Sequence, residues 1–172
     1  MTINEIKELL SHEPTAELIA ELAQDKRVAV QKLLQSYHKR IEKAALEKER
    51  FYKMLSYERQ YYGEGAKLIA GVDEAGRGPL AGPLVIAAVI LPKDVFISGL
   101  NDSKQISASK RAKLYDEVLQ KAISVSVNIV SISNIDELNI YRATQVGMSE
   151  VLLSLDVRPD VALIDAMPVE AE

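Results

Sequence analysis

The chain has no cysteine and no tryptophan among its 172 residues. Without cysteine there is no disulfide, no thiolate metal site and no cysteine nucleophile. Histidine is nearly missing too: His12 and His38 are the only two, both in the first quarter. A Ser-His-Asp relay or a histidine-rich zinc site in the other three quarters is therefore excluded. No apolar run reaches the ~18 residues that a membrane helix needs. The opening MTINEIKELLSHEP is acidic and amphipathic, and it lacks the basic start and apolar stretch of a secretory leader. A soluble, cytoplasmic protein with no membrane contact is the expectation.

What is present suits a folded domain plus something smaller: 48% hydrophobic and 27% charged side chains, near the globular average. The formal charge of -4 hides an asymmetry. Residues 1–25 carry one Lys against six acids, residues 26–59 ten Lys and Arg against four Glu, and residues 60–172 ten against fifteen acids. A basic middle segment thus precedes an acidic body. Such a segment can bind nucleic acid, or it can be one solvated helix face.

Up to Tyr62 there is no glycine and one proline, Pro14. Ile3, Ile6, Leu9 and Leu10, then Leu18, Ile19 and Leu22, recur at helical spacing. Pro14 breaks the first helix and Thr15 can start the next. From Lys26 a long helix is predicted, through Leu34, Tyr37, Ile41, Phe51 and Leu55. Residues 1–66 read as a small all-helical module of two or three helices, bounded by Gly63-Glu64-Gly65.

Beyond that boundary the pattern changes. Residues 67–73 form a short apolar strand ending in acid. Residues 84–91, LVIAAVIL, are a near-continuous apolar run, expected of a strand buried on both faces. Ser107 or Ser109 can cap a helix to about Ala122. Residues 123–132 alternate as a strand. Residues 134–155 hold an amphipathic helix, with an interruption expected at Gly147, and 161–165 form another strand ending in acid. Strands alternating with helices predict an α/β fold for 67–172.

Two strands end in carboxylates, Asp73-Glu74 and Asp165. Sites in open α/β sheets lie beyond the carboxyl ends of strands. Three carboxylates without histidine suit hard cations such as Mg²⁺ or Mn²⁺. Adjacent strand residues face opposite ways, so Asp73 and Glu74 share a site only if the strand breaks between or just after them. Ordinary strand-end polarity is the alternative. The following segment, Ala75 to Pro83, has three Gly and two Pro in nine residues. Glycines flanking Arg77 let a ligand approach the main chain. A tight turn between strands is the competing reading.

The run Gly71-Val72-Asp73-Glu74-Ala75-Gly76-Arg77-Gly78-Pro79-Leu80-Ala81-Gly82-Pro83 resembles the signature of the bacterial ribonuclease HII family. Asn101-Asp102-Ser103-Lys104, Asp136-Glu137-Leu138-Asn139-Ile140 with Ala143-Thr144, and Leu163-Ile164-Asp165-Ala166-Met167 resemble further segments of that family, in order. The sister family, ribonuclease HIII, typically has Thr where Arg77 stands.

The resemblance implies a ribonuclease H-like mixed sheet flanked by helices. It implies endonucleolytic cleavage of RNA in RNA–DNA hybrids and at ribonucleotides embedded in duplex DNA, leaving 5′-phosphate and 3′-hydroxyl ends. Two Mg²⁺ or Mn²⁺ ions about 4 Å apart would be held by Asp73, Glu74 and Asp165. The Gly76-Arg77-Gly78 backbone would sense the ribose 2′-hydroxyl, and Lys104 would contact a phosphate. Asn139 and Thr144 are weaker candidates for the site, and for either one a helix-cap or packing role is equally expected. The family's fourth carboxylate and a later stacking tyrosine have no counterpart before Glu172, and Glu170 and Glu172 do not match that motif. The catalytic domain is therefore expected to be incomplete at its carboxy end, and the chain by itself inactive or nearly so. A non-catalytic nucleic-acid-binding role for the 26–59 segment and the Gly-Arg-Gly loop stands as the alternative, with 1–66 as a protein-interaction module a third reading.

Overall fold

The computed structural model describes residues 1–78, 82–165 and 167–169. It divides into two compact units, residues 1–52 and 53–172.

The first unit holds α1 (Ile3–Ser11), α2 (Ala16–Gln24) and most of α3 (Val28–Met54). Thr2 and Glu5 form a reciprocal capping box at the start of α1, satisfying two amides that have no partner within the helix. After Pro14, the Thr15 side chain accepts from the Leu18 N–H and opens α2. Ile6, Leu10, Leu22, Val30 and Leu34 are buried together, because each recurs on the inner stripe of its helix. The basic segment is partly committed within the protein. Arg27 pairs with Asp25 and Arg50 with Glu47, while Arg40 donates to the Leu10 carbonyl. Lys26, Lys32, Lys39 and Lys43 are exposed.

The second unit begins with a break that the sequence reading missed. The long helix stops at Met54, Leu55 leaves helical geometry, and α4 (Ser56–Gly63) follows. Then come β1 (Ile69–Ala75), β2 (Leu84–Ile90), a 3₁₀ turn (Ser103–Gln105), α5 (Ala108–Lys121), β3 (Ser124–Val130), α6 (Ile132–Leu153) and β4 (Val161–Ile164). Ser107, not Ser109, caps α5 through the Lys110 N–H.

Among the described residues the strands form one mixed sheet in the order β3-β2-β1-β4. The β1–β2 and β2–β3 pairs are antiparallel and β1–β4 is parallel. The core lies on the face under α6: Ala70, Val72, Leu84, Ile86, Ala88 and Ile90 meet Ala143, Met148, Val151 and Leu152. Burial along β2 alternates rather than being uniform, with Val85, Ala87 and Val89 half-buried on the opposite face. Among the described residues that face is covered only in part, where the apolar run predicts burial on both faces.

Two further expectations need correction. The interruption in α6 is at Asn139, with φ 63° and ψ 160°, and not at Gly147. Asn139 accepts from the Arg142 N–H at 3.0 Å and so caps the second part of the helix. Gly147 stays helical, and its lack of a side chain lets the helix lie close to the sheet there. A Cβ at this position would stand 2.5 Å from the Ile86 δ-methyl and 3.0 Å from Val130. Thr144 is fully buried and donates to the Ile140 carbonyl, which is a packing role.

Candidate active site

The register of β4 against β1 builds the site. Ile69 pairs with Val161 and Val72 with Ile164. Asp73 and Asp165 are the next residues of the two strands, and parallel partners in register project to the same face. Both carboxylates are exposed and line one open cleft of about 780 Å³, with Gly71, Ala87 and Val89 as its floor. Met54, Tyr57, Glu58 and Tyr61 line it as well.

The start of that register is held by Asp160. Its carboxylate accepts from the N–H groups of Lys67 at 2.8 Å and Leu68 at 2.9 Å. Its own N–H donates to the Leu68 carbonyl at 2.8 Å. The two backbone donors, Leu68 first and then Lys67, hold the Asp160 carboxyl below the ordinary aspartate range. Nothing in the sequence alone distinguished this aspartate from other surface acids.

Glu74 is placed differently. β1 continues unbroken through Ala75, with Glu74 paired to Ile86, so its side chain points to the face opposite Asp73. It is largely enclosed, 14% exposed, and lies 3.3 Å from the Arg77 guanidinium. The strand ends just after it: Gly76 has φ 94°, and a Cβ there would stand 2.5 Å from the Pro83 carbonyl oxygen. Only glycine fits that turn without strain. Arg77 and Gly78 are exposed beyond it. Lys104 is exposed on the 3₁₀ turn, where the Asp102 carboxylate accepts its N–H. Neither Glu74, Gly76, Arg77, Gly78 nor Lys104 is among the described residues lining the cleft. Pro79, Leu80, Ala81, Ala166, Glu170 and Glu172 lie outside the described residues.

The donor chemistry fits a hard cation only in part. Asp73 and Asp165 offer carboxylate oxygens in one cleft, and among the described residues neither has a Lys or Arg ion-pair partner. Two like charges facing one cleft favour a cation between them. No group of three or more acid, His or Cys side chains is gathered for a metal among the described residues, because Glu74 faces away.

A mixed sheet whose first strand and parallel neighbour bring Asp73 and Asp165 to one cleft, with a helix over the other face, is the frame of a ribonuclease H-like domain. The comparisons agree. Residues 2–62 match the family model of the ribonuclease HII N-terminal domain, and residues 70–172 that of ribonuclease HII. The ribonuclease HII of Lactobacillus helveticus is 46% identical over 172 residues, covering 100% of this chain and 68% of that protein. That of Lactobacillus delbrueckii subsp. bulgaricus is 49% identical, covering 100% and 67%. The crystal structure of the ribonuclease H2 from Pyrococcus horikoshii OT3 superposes with a TM-score of 0.52 at 31% identity, over 60% of this chain and 52% of that one. This chain belongs to the ribonuclease HII family. It spans about two thirds of the length of those two relatives and about half of the archaeal structure.

Proposed function

We propose that the protein is a metal-dependent endoribonuclease that cuts the RNA strand of RNA–DNA hybrids and incises duplex DNA at embedded ribonucleotides, leaving 5′-phosphate and 3′-hydroxyl ends. The observation that carries this reading is the pairing of Asp73 and Asp165 on one cleft in a member of this family. Asp73 and Asp165 would hold Mg²⁺ or Mn²⁺ ions, and Glu74 would join them only by leaving Arg77 and turning from the opposite face of β1. Such ions supply water activation and charge neutralisation at a phosphodiester.

The chain's own groups do the rest. The Gly76 turn keeps the backbone free of side-chain bulk next to the carboxylates, so that amides of 76–78 can meet the ribose 2′-hydroxyl, the group that separates RNA from DNA. Arg77 neutralises Glu74 in the present arrangement and is placed to exchange that partner for a phosphate. Lys104 would hold a phosphate further along the strand. No helix among the described residues is long and apolar enough to cross a membrane, and we place the protein in the cytoplasm with nucleic acid as its partner. Residues 1–66 are proposed as an accessory module to the catalytic domain of 67–172.

The test is cleavage of an end-labelled RNA–DNA hybrid, and of a DNA duplex with one ribonucleotide, by the full-length protein with Mn²⁺ or Mg²⁺. Cutting that requires the ion and disappears in Asp73→Asn supports the reading. Cutting by Asp73→Asn at the wild-type rate would overturn the metal mechanism, and binding without cutting by the wild type would replace the reading with the non-catalytic nucleic-acid-binding role.

A further inference from the structure

The ten basic residues of 26–59 are not alike once the chain is folded. Arg27, Arg40 and Arg50 are spent within the protein, on Asp25, the Leu10 carbonyl and Glu47. Lys32, Lys39 and Lys43 stay exposed along α3. At about 100° per residue they fall, with Ser36, within roughly 40° of one line down the helix. That line is ~16 Å long from Lys32 to Lys43. The opposite side of α3 is turned inward, where Val30 and Leu34 are buried with Ile6, Leu10 and Leu22. The six acids of residues 1–25 sit on or beside α1 and α2, which pack on that inward side. Between Val28 and Ala45 the helix itself carries one acid, Glu42, about 80° away from the line. Glu47, one turn beyond Lys43, is taken by Arg50. Among the described residues none of the three lysines has an ion-pair partner. Lys39 and Lys43 are moreover a like-charged pair four residues apart, which opposes the helix. A face that served only solubility would interleave acids with these lysines.

We propose that this face of α3 is a second binding site, taking the phosphate backbone of duplex nucleic acid without regard to its sugar or its sequence. It rests on nucleic acid being the partner, as read above, and not on the metal chemistry. Three ammonium groups and the Ser36 hydroxyl offer donors along a line that covers about five phosphates of one strand, at ~3.4 Å of rise per nucleotide. Contacts to phosphate position a protein on a duplex and carry no sequence information. They draw their free energy from released counterions, so an all-DNA duplex serves as well as a hybrid. A site of this kind keeps the protein on DNA between one ribonucleotide and the next. The anionic pair of Asp73 and Asp165 cannot by itself supply that hold, because it repels phosphate. Sensing of the ribose stays with the second unit, and α3 contributes attachment alone.

The experiment is fluorescence anisotropy of a labelled all-DNA duplex and of the matching RNA–DNA hybrid, with the full-length protein, no divalent ion, and KCl from about 50 to 200 mM. Wild type is compared with Lys32→Gln/Lys39→Gln/Lys43→Gln and with the same positions changed to Arg. A third variant, Lys7→Gln/Lys110→Gln/Lys113→Gln, removes as many exposed charges elsewhere. The α3 Gln variant is expected to bind both duplexes at least about tenfold more weakly at the low-salt end. Its plot of log affinity against log salt should flatten by about 2.7, from roughly 0.9 per phosphate contact. The Arg variant keeps the wild-type slope. Should the triple Gln variant fail to fold, each single Gln change flattening the slope by about 0.9 gives the same readout. Wild-type affinity and slope in the α3 Gln variant overturn the proposal, and leave that face to solvent or to an acidic protein. Equal flattening in the Lys7, Lys110 and Lys113 variant overturns it too, since net charge alone would then explain the effect. Weakening on the hybrid but not on DNA overturns the indifference to sugar. A wild type that cuts the hybrid yet does not hold DNA overturns this proposal and leaves the nuclease reading standing, and one that binds neither duplex overturns both.

Discussion

Asp165 stands one residue beyond Ile164, the parallel partner of Val72, and so comes level with Asp73 across the β1–β4 pair. Ninety-one residues of chain lie between the two acids, and the sheet closes that gap. Because side chains alternate along a strand, a slip of one residue would send Asp165 to the face under α6. The register is therefore a chemical specification as well as a structural one. In the full-length protein Asp73→Asn and Asp165→Asn should each lower hybrid cleavage by at least about 100-fold, the upper end of what losing even a hydrogen-bond partner of a metal ligand costs, with little change in thermal stability because both side chains are exposed. Steady-state cleavage with parallel thermal melts checks this.

Asp160 is the clamp on that register, and its effect depends on pH. Its folded-state pKa is lowered by the amides of Leu68 and Lys67. A lowered carboxylate contributes stability that is present above the unfolded value, ~3.9, and is lost as pH falls through the lower folded value. The wild type should lose stability on acidification over that window more steeply than Asp160→Asn. Urea midpoints measured from pH 6 down to pH 2.5 read the difference. Parallel curves for the two proteins would remove the clamp.

Asn139 and its neighbours predict opposite signs at one position. At φ 63° and ψ 160° only glycine is at ease, and other residues carry about 1–3 kcal/mol of strain. Asn139→Gly relieves that strain and forfeits a few tenths of a kcal/mol of capping, so it should raise stability by about 1 kcal/mol. Asn139→Ala keeps the strain and loses the Arg142 contact, costing about 1 kcal/mol. Chemical denaturation of both variants checks the sign.

Gly147 should not tolerate bulk. Gly147→Val drives methyl groups into Ile86 and Val130, an overpacking cost of about 1–3 kcal/mol. The gain in helix propensity returns only a few tenths of a kcal/mol. A thermal melt of this variant should shift down, and Gly147→Ser should shift less.

Gly76→Ala meets the Pro83 carbonyl oxygen, a main-chain atom that cannot swing aside. The left-handed conformation adds roughly 1–2 kcal/mol. We expect lower stability together with weaker preference for a ribose over a deoxyribose at the cut, measured by comparing cleavage of a single-ribonucleotide duplex with that of the all-DNA duplex of the same sequence.

Much of this protein was readable one segment at a time. The spacing of Ile6, Leu10 and Leu22 declares helices, the alternation through 123–130 declares a strand, and acids at the ends of two apolar runs declare where chemistry sits. These are local facts, set by how 3.6-residue and two-residue periods sort side chains onto faces. The glycine-rich turn after Glu74 and the cap at Ser107 belong to the same kind. What the linear order could not decide are relations between distant segments. That Asp165 joins Asp73 while Glu74 turns to Arg77 depends on a strand staying regular through Ala75 and on a parallel register set from Asp160. That α6 bends at Asn139 and passes Gly147 straight depends on how near the helix lies to Ile86. Each is fixed by packing between elements, where the energy comes from surfaces meeting across the fold and not from the preference of any one residue.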